Sequence, residues 1–368
     1  MSDQTNPNPV VAESPTLSRR TLLSGGLALG AMVAASGISP TANAAPSKTP
    51  VATSFVDDGL AHPIPYNLPL GAGKERGLVL GGGGVILLAW MMGYFHALKR
   101  SGVDLNTADI VVGTSAGSVA ATMLTSGKLW WLDAELDIFA ELPKLFAMLV
   151  PATPPNSSQI RAHNIAVNAS DASVATIQAI GRASMAARNP DGPTGFYKAM
   201  EHLVGQTAWP SARLHTTAND CYTGERLVVS QSANIPVDVA CAASASLPGG
   251  MGPTWLKDRL CMDGGICQTS THADVVAGVK RALVFSLSDG SANAVKAGLR
   301  TSGMPNTLQA EIKTLEAGGT RAKLVVCGLP PGVSHVNSIM DSSWIAPMMA
   351  YGRERGLADA KEMAAFWN

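Results

Sequence analysis

Residues Leu78–Trp90 read LVLGGGGVILLAW, two apolar runs separated by four glycines. Glycine loses more backbone freedom on folding than any other residue, so four in succession mark a place where bare backbone is required. Either a loop that cradles a phosphate or a loop that aims N–H groups at an oxyanion meets that requirement. The run before the glycines reads as a strand, Leu78–Leu80, and the run after them has helical composition from Ile86 to Arg100, stopping at Ser101-Gly102. Asp109–Val112 is short and β-branched, a second strand, and a second helix is expected from Ala116 to about Gly127. Strand, glycine loop, helix, strand, tight turn, helix is a βαβα unit. Such units build an α/β fold with a mostly parallel central sheet and helices on both faces.

Working outward, RLHTTAND and ERLVVS flank the turn Thr223-Gly224 and read as a hairpin. Further strands are expected at Ala282–Leu287 and Lys323–Val326, a last helix over Ser342–Trp367, and an inserted helical region from about Leu129 to Leu203. Residues 76–368 are therefore read as one domain.

The chain has 368 residues, 46% of them hydrophobic, and 27 basic against 27 acidic side chains. That balance argues against nucleic-acid binding, which ordinarily needs a basic surplus. It also leaves apolar contact as the force behind any transient encounter with a lipid surface. The five cysteines have no metal-ligand spacing and read as small buried residues, and no cofactor is expected. Ahead of the domain, Arg19-Arg20 in SRRTLL precedes the weakly apolar run Leu22–Ala35 and the small-x-small site ANA at Ala42–Ala44. This is the pattern of a twin-arginine export signal over residues 1–44, and the apolar run is shorter than the ~20 residues a transmembrane anchor needs. Residues 45–75, rich in Pro, Gly and Ser, are read as a linker. The expected destination is the periplasm, the cell envelope or the medium.

The chemistry begins at Ser115, in VVGTSAGS. This is a G-x-S-x-G directly after a strand and before a helix, where a glycine on each side allows the sharp turn that lifts a serine hydroxyl clear of the sheet. The backbone N–H groups of Gly83 and Gly84, with that of Ala116, could then face a tetrahedral intermediate on Ser115. A phosphate cradle fits less well, because no G-K-[ST] lysine follows and Leu87 stands where G-x-G-x-x-G needs its last glycine. A serine needs a base, and Asp263 lies in CMDGGICQ.

The ordered set GGGG, GTSAG and DGG resembles the patatin-like phospholipases. AASASLPGGMGP at Ala242–Pro253 and THADVVAG at Thr271–Gly278 resemble stretches flanking the aspartate in bacterial members, and the similarity runs from about Arg76 onward. The resemblance implies a patatin-like three-layer fold and hydrolysis of lipid acyl esters by a dyad. Ser115 would be the nucleophile, Asp263 the base, and Gly82, Gly83 and Gly84 would line the oxyanion hole. Family members commonly carry Arg or Lys two positions after the last glycine, followed by Gly; this chain has Ile86 and Leu87. Two alternatives stay open: a triad of Ser115, Asp263 and His335, which chain order permits, and a catalytically silent lipid-binding relative. The insertion carries Trp130, Trp131, Phe139 and Phe146, which would cover an acyl site or bury as an ordinary helix.

Overall fold

The structure is a computed structural model, and it describes residues 59–66, 68–141, 155–187 and 194–368; the side chains of residues 194–196 and 199 are not described. The described residues belong to one unit, Val56–Asn368. The proposed export signal and Phe146 lie outside them.

The quoted stretch forms β1, Arg76–Leu80, and α1, Gly84–Arg100. β2, Ile110–Gly113, and α2, Ala116–Thr125, follow. The insertion supplies α3 (Leu129–Glu141), α4 (Ser157–Val167), α5 (Val174–Ala186) and α6 (Thr194–Val204). Then come β3 (Leu214–Asp220), β4 (Arg226–Ser230), α7 (Val237–Ser244), β5 (Thr254–Leu256) and β6 (Arg259–Asp263). β7 (Arg281–Ser286), α8 (Ala292–Lys296), α9 (Leu308–Ala317), β8 (Arg321–Val326) and α10 (Ile345–Trp367) complete the series.

The strands form one sheet in the order β5-β6-β3-β2-β1-β7-β8, with β4 paired to β3. β3, β2, β1, β7 and β8 run parallel, while β4, β5 and β6 pair antiparallel. The period-2 geometry of a strand sends alternate side chains to opposite faces. Leu78, Leu80, Val111, Leu283 and Phe285 pack into one core with α1, α2, α3 and α10. Val79, Ile110, Val112, Ala282 and Val284 face the other way, onto Leu308, Ile312 and Leu315 of α9 and the 3-10 turn Ala273–Val276. Helices therefore cover both faces of the sheet, giving the three layers expected.

α1 is apolar nearly all round because it is covered nearly all round. Trp90 stacks on Tyr94 with ring centroids 4.5 Å apart, and Phe285 of the sheet meets Tyr94 edge-on. Its opposite side lies under α10, where the backbones meet closely at Gly93 and Gly352. Ile86 and Leu87 are fully buried in this core.

Two features differ from the reading of the sequence. β5 and β6 form an antiparallel pair too short for periodicity to show, and α8 and α9 bridge β7 and β8. Within the stretch read as a linker, the described residues lie along the domain. Leu60 is fully buried, His62 N–H donates to Arg226 O, and Tyr66 N–H donates to Asp274 Oδ2. All five cysteines are free thiols and buried. No helix among the described residues is long and apolar enough to cross a membrane.

Candidate active site

β3 acts as the ruler of the site. Its Thr216 sits opposite Gly113 at the end of β2, and its Ala218 sits opposite Asp263 at the end of β6. Two positions along one strand thus bring the turn carrying Ser115 beside the turn carrying Asp263. Thr114 and Thr217 tie the strands together through their hydroxyls, 2.7 Å apart.

Ser115 occupies the left-handed region, φ 53° and ψ −123°, at the point where β2 turns into α2. A non-glycine residue held there costs on the order of 1–3 kcal/mol and persists only where its surroundings impose it. Here they do. A side chain at Gly113 would strike Gly117 O, and one at Gly117 would lie 1.9 Å from Leu80 O, so the two glycines of G-x-S-x-G are what let α2 fold back against β1 and β2. The Ser115 N–H donates to Ser244 Oγ at 2.8 Å.

The Ser115 hydroxyl donates to Asp263 Oδ2 at 2.7 Å. The other carboxylate oxygen, Oδ1, accepts the Gly265 N–H at 2.7 Å. Asp263 is fully buried, and loss of water outweighs both hydrogen bonds, pushing its pKa up to about 7. A carboxyl poised near neutrality can take and return a proton at ordinary pH.

The backbone around Asp263 is held from three sides. Asp263 N–H donates to Ser246 O, and Gly264 N–H donates to Ser244 O. Asn219 Nδ2 donates to Asp263 O at 2.8 Å and lies within hydrogen-bond distance of Gly264 O and Ile266 O. His272 Nε2 donates to Gly264 O at 2.7 Å, while its Nδ1 faces Arg226 Nη1, a donor, which fixes the tautomer. Arg226 in turn pairs with both oxygens of Asp274. Burial, then the Arg226 charge, depress the His272 pKa to about 4. Ser244 and Asn219, which hold this backbone together with His272, are residues that sequence reasoning missed. The signal for Ser244 was the quoted flank AASASLPGG and for Asn219 the polar run HTTAND, while His272 lies in the quoted THADVVAG.

The glycine loop crosses directly over the serine: a Cβ on Gly82 would lie 3.2 Å from Ser115 Cβ. Its four residues are not equivalent. Gly81 N–H donates to Phe285 O and Gly82 N–H to Ser270 O, so Gly82 lines the cleft but has its donor engaged. Gly84, at φ 58°, opens α1. Among the described residues, the N–H groups of Gly83, Gly84 and Ala116 have no hydrogen-bond partner. Each lies at a helix N-terminus, where the peptide dipoles favour negative charge.

Ser115 and Asp263 share a cleft of about 30 Å³ with Gly82, Gly83, Leu287, Arg300 and others. That is room for little more than a water, so an acyl chain enters only as the lining moves apart. His335 is elsewhere engaged, with its Nδ1 against Lys296 O. Phe139 is buried in the α1 core, whereas Trp130 and Trp131 stand exposed, edge to face at 5.9 Å.

An open α/β sheet whose strand-to-helix turn presents a strained serine directly to a buried carboxylate defines the class of fold. Within that class this chain belongs to the patatin-like phospholipase family, whose sequence model matches residues 78–275. Among solved structures it is similar to the type III effector protein ExoU, at 16% identity over 80% of this chain and 54% of that one with a TM-score of 0.34. It is likewise similar to VipD from Legionella pneumophila, at 13% identity over 80% of this chain and 68% of that one with a TM-score of 0.42. The chain therefore spans about half the length of ExoU. No curated protein sequence matches it.

Proposed function

We propose that this chain is a lipid acyl hydrolase that works through a Ser115–Asp263 dyad. The observation that supports it most is the 2.7 Å bond from the Ser115 hydroxyl to a carboxylate buried away from water. As Ser115 Oγ attacks the ester carbonyl carbon, its proton passes to Asp263, and the carbonyl oxygen becomes an oxyanion facing the unpartnered N–H groups of Gly83, Gly84 and Ala116. Collapse breaks the bond to the leaving alcohol, which takes the proton from Asp263 and leaves an acyl ester on Ser115. Water, deprotonated by the same carboxylate, then releases the fatty acid and restores the serine.

Labelling the purified chain with a fluorophosphonate and mapping the adduct by mass spectrometry tests the reading. A single adduct on Ser115, lost in Ser115→Ala, is expected. An unlabelled folded protein would leave the silent lipid-binding relative as the reading.

We propose further that the chain is exported by the twin-arginine route, on the strength of Arg19-Arg20 and the ANA site. Replacing both arginines by lysine should keep the protein in the cytoplasm with its signal uncut. Normal export of that variant would overturn the assignment.

A further inference from the structure

The catalytic cleft contains a cation that the dyad does not use. Arg300 lies in the segment between α8 and α9 and is one of the residues that line the same cleft as Ser115, Asp263 and Gly83. One of its N–H groups, on Nη2, donates to Met304 O at 2.8 Å. No carboxylate pairs with it among the described residues. A guanidinium carries five donors in a planar fork, so most of the donors of this one have no partner among the described residues. Partial burial draws its pKa down, yet a guanidinium remains charged at any ordinary pH.

An unpaired, partly desolvated arginine is costly to keep unless an anion visits it. Among the described residues the only carboxylate lining the cleft is that of Asp263, whose oxygens are engaged by Ser115 and Gly265. A substrate anion would supply the partner that the described lining does not. The position where the family commonly has a basic residue is here Ile86, fully buried in the α1 core, so a charge from that side is excluded. Arg300 approaches from the crossover between β7 and β8 instead.

We propose that Arg300 is a specificity-determining residue that receives the phosphodiester of the leaving alcohol, so that the site prefers phospholipids to neutral acyl esters. This rests on the acyl-hydrolase reading for its catalytic meaning, but the binding it describes does not require turnover. Planar, bidentate pairing with phosphate oxygens is what a guanidinium does best, and in a half-buried cleft such a charge-assisted contact is strong.

The test uses two lipids of equal acyl length, dihexanoylphosphatidylcholine and dihexanoylglycerol, below their aggregation limits. Arg300→Gln should lower kcat/KM on the phospholipid by about tenfold more than on the glyceride, through KM, with Arg300→Lys intermediate; roughly tenfold is what a lost hydrogen bond to a charged group costs. In the Ser115→Ala background the same substitution should weaken binding of the phospholipid selectively. Equal loss on both lipids, or no loss on either, overturns the proposal. If the wild type cleaves neither lipid while the binding preference and its loss persist, acyl hydrolysis fails and the Arg300 assignment stands. If cleavage proceeds and the lipid preference ignores Arg300, the reverse holds.

Discussion

The hydroxyl of Ser244 accepts the backbone N–H of Ser115 at 2.8 Å, and the carbonyl of the same residue accepts the N–H of Gly264. One residue at the end of α7 thus holds the turn carrying Ser115 with its side chain and the turn carrying Asp263 with its backbone. Ser115→Asp263 geometry is set from outside the pair.

Ser244→Ala should therefore separate positioning from chemistry. It leaves the buried Ser115 N–H without an acceptor, a cost of about 1–3 kcal/mol in unfolding free energy. Turnover should fall by about tenfold with KM nearly unchanged, and Ser244→Thr should recover part of it. Urea unfolding and steady-state kinetics on a short-chain ester check both, and a loss confined to KM would contradict a positioning role.

Ser115→Ala, Asp263→Asn and the double variant should show similar losses of turnover, each on the order of 10³-fold or more, because groups that act as one unit are strongly non-additive. His335→Ala should cost little, its Nδ1 being taken up by Lys296 O. Near-complete loss with His335→Ala would restore the triad.

The raised pKa of Asp263 has two signatures. In the proposed dyad it must be deprotonated to act as the base, so kcat/KM should fall below pH about 7. Stability moves in the other direction. Between the ordinary carboxylate value and about 7 the unfolded chain loses this proton while the folded chain keeps it, so the group's contribution declines as pH rises through that window. Asp263→Asn should consequently be stabilised relative to wild type at pH 8 and much less so at pH 4. Thermal unfolding at the two pH values decides; equal shifts at both would show that the carboxyl ionises freely in the fold.

His272 has the opposite sign. Its folded pKa, about 4, is below the ordinary 6.5, so the unfolded chain binds a proton between these values that the folded chain refuses, and stability is lost as pH falls through that interval. His272→Gln, whose amide can still donate to Gly264 O, should flatten the pH dependence of unfolding between 6.5 and 4. An unchanged acid profile would place the acid sensitivity elsewhere.

The aromatic residues of α3 should divide by exposure. Phe139→Ala, in the core, should destabilise by about 3–5 kcal/mol. Trp130→Ala, at 63% exposure, should leave the unfolding midpoint within a degree or two. If it meets lipid surfaces, activity on vesicles should drop more than activity on dissolved esters, and equal activity on both would remove that role.

Much of this was legible in the chain. β1, β2, the hairpin of β3 and β4, and the helix after each glycine turn follow from strong local patterns, and GTSAG carries its own geometric reason in the two close approaches at Gly113 and Gly117. What was not legible is non-local. Asn219 and Ser244 become important only because β3 brings β2 and β6 together, and no local period marks an amide that will meet a backbone group 44 residues away or a hydroxyl that will meet one 129 residues away. Gly82 and Gly83 look alike in sequence; only the carbonyl of Ser270 distinguishes them. Trp131 and Phe139 share one helix and one composition, yet a rotation of the helix sends one outward and the other inward.

The close meeting of α1 and α10 at Gly93 and Gly352 has a consequence in time. The first helix leaves the ribosome long before the last, and at about 5–20 residues per second the interval is on the order of tens of seconds. Throughout it the side of α1 that carries Gly93 has no lasting cover, and nothing local can substitute for a helix not yet made. A chain cut short anywhere before Ile345–Trp367 would leave that side of α1 bare, an adhesive fragment rather than a smaller enzyme.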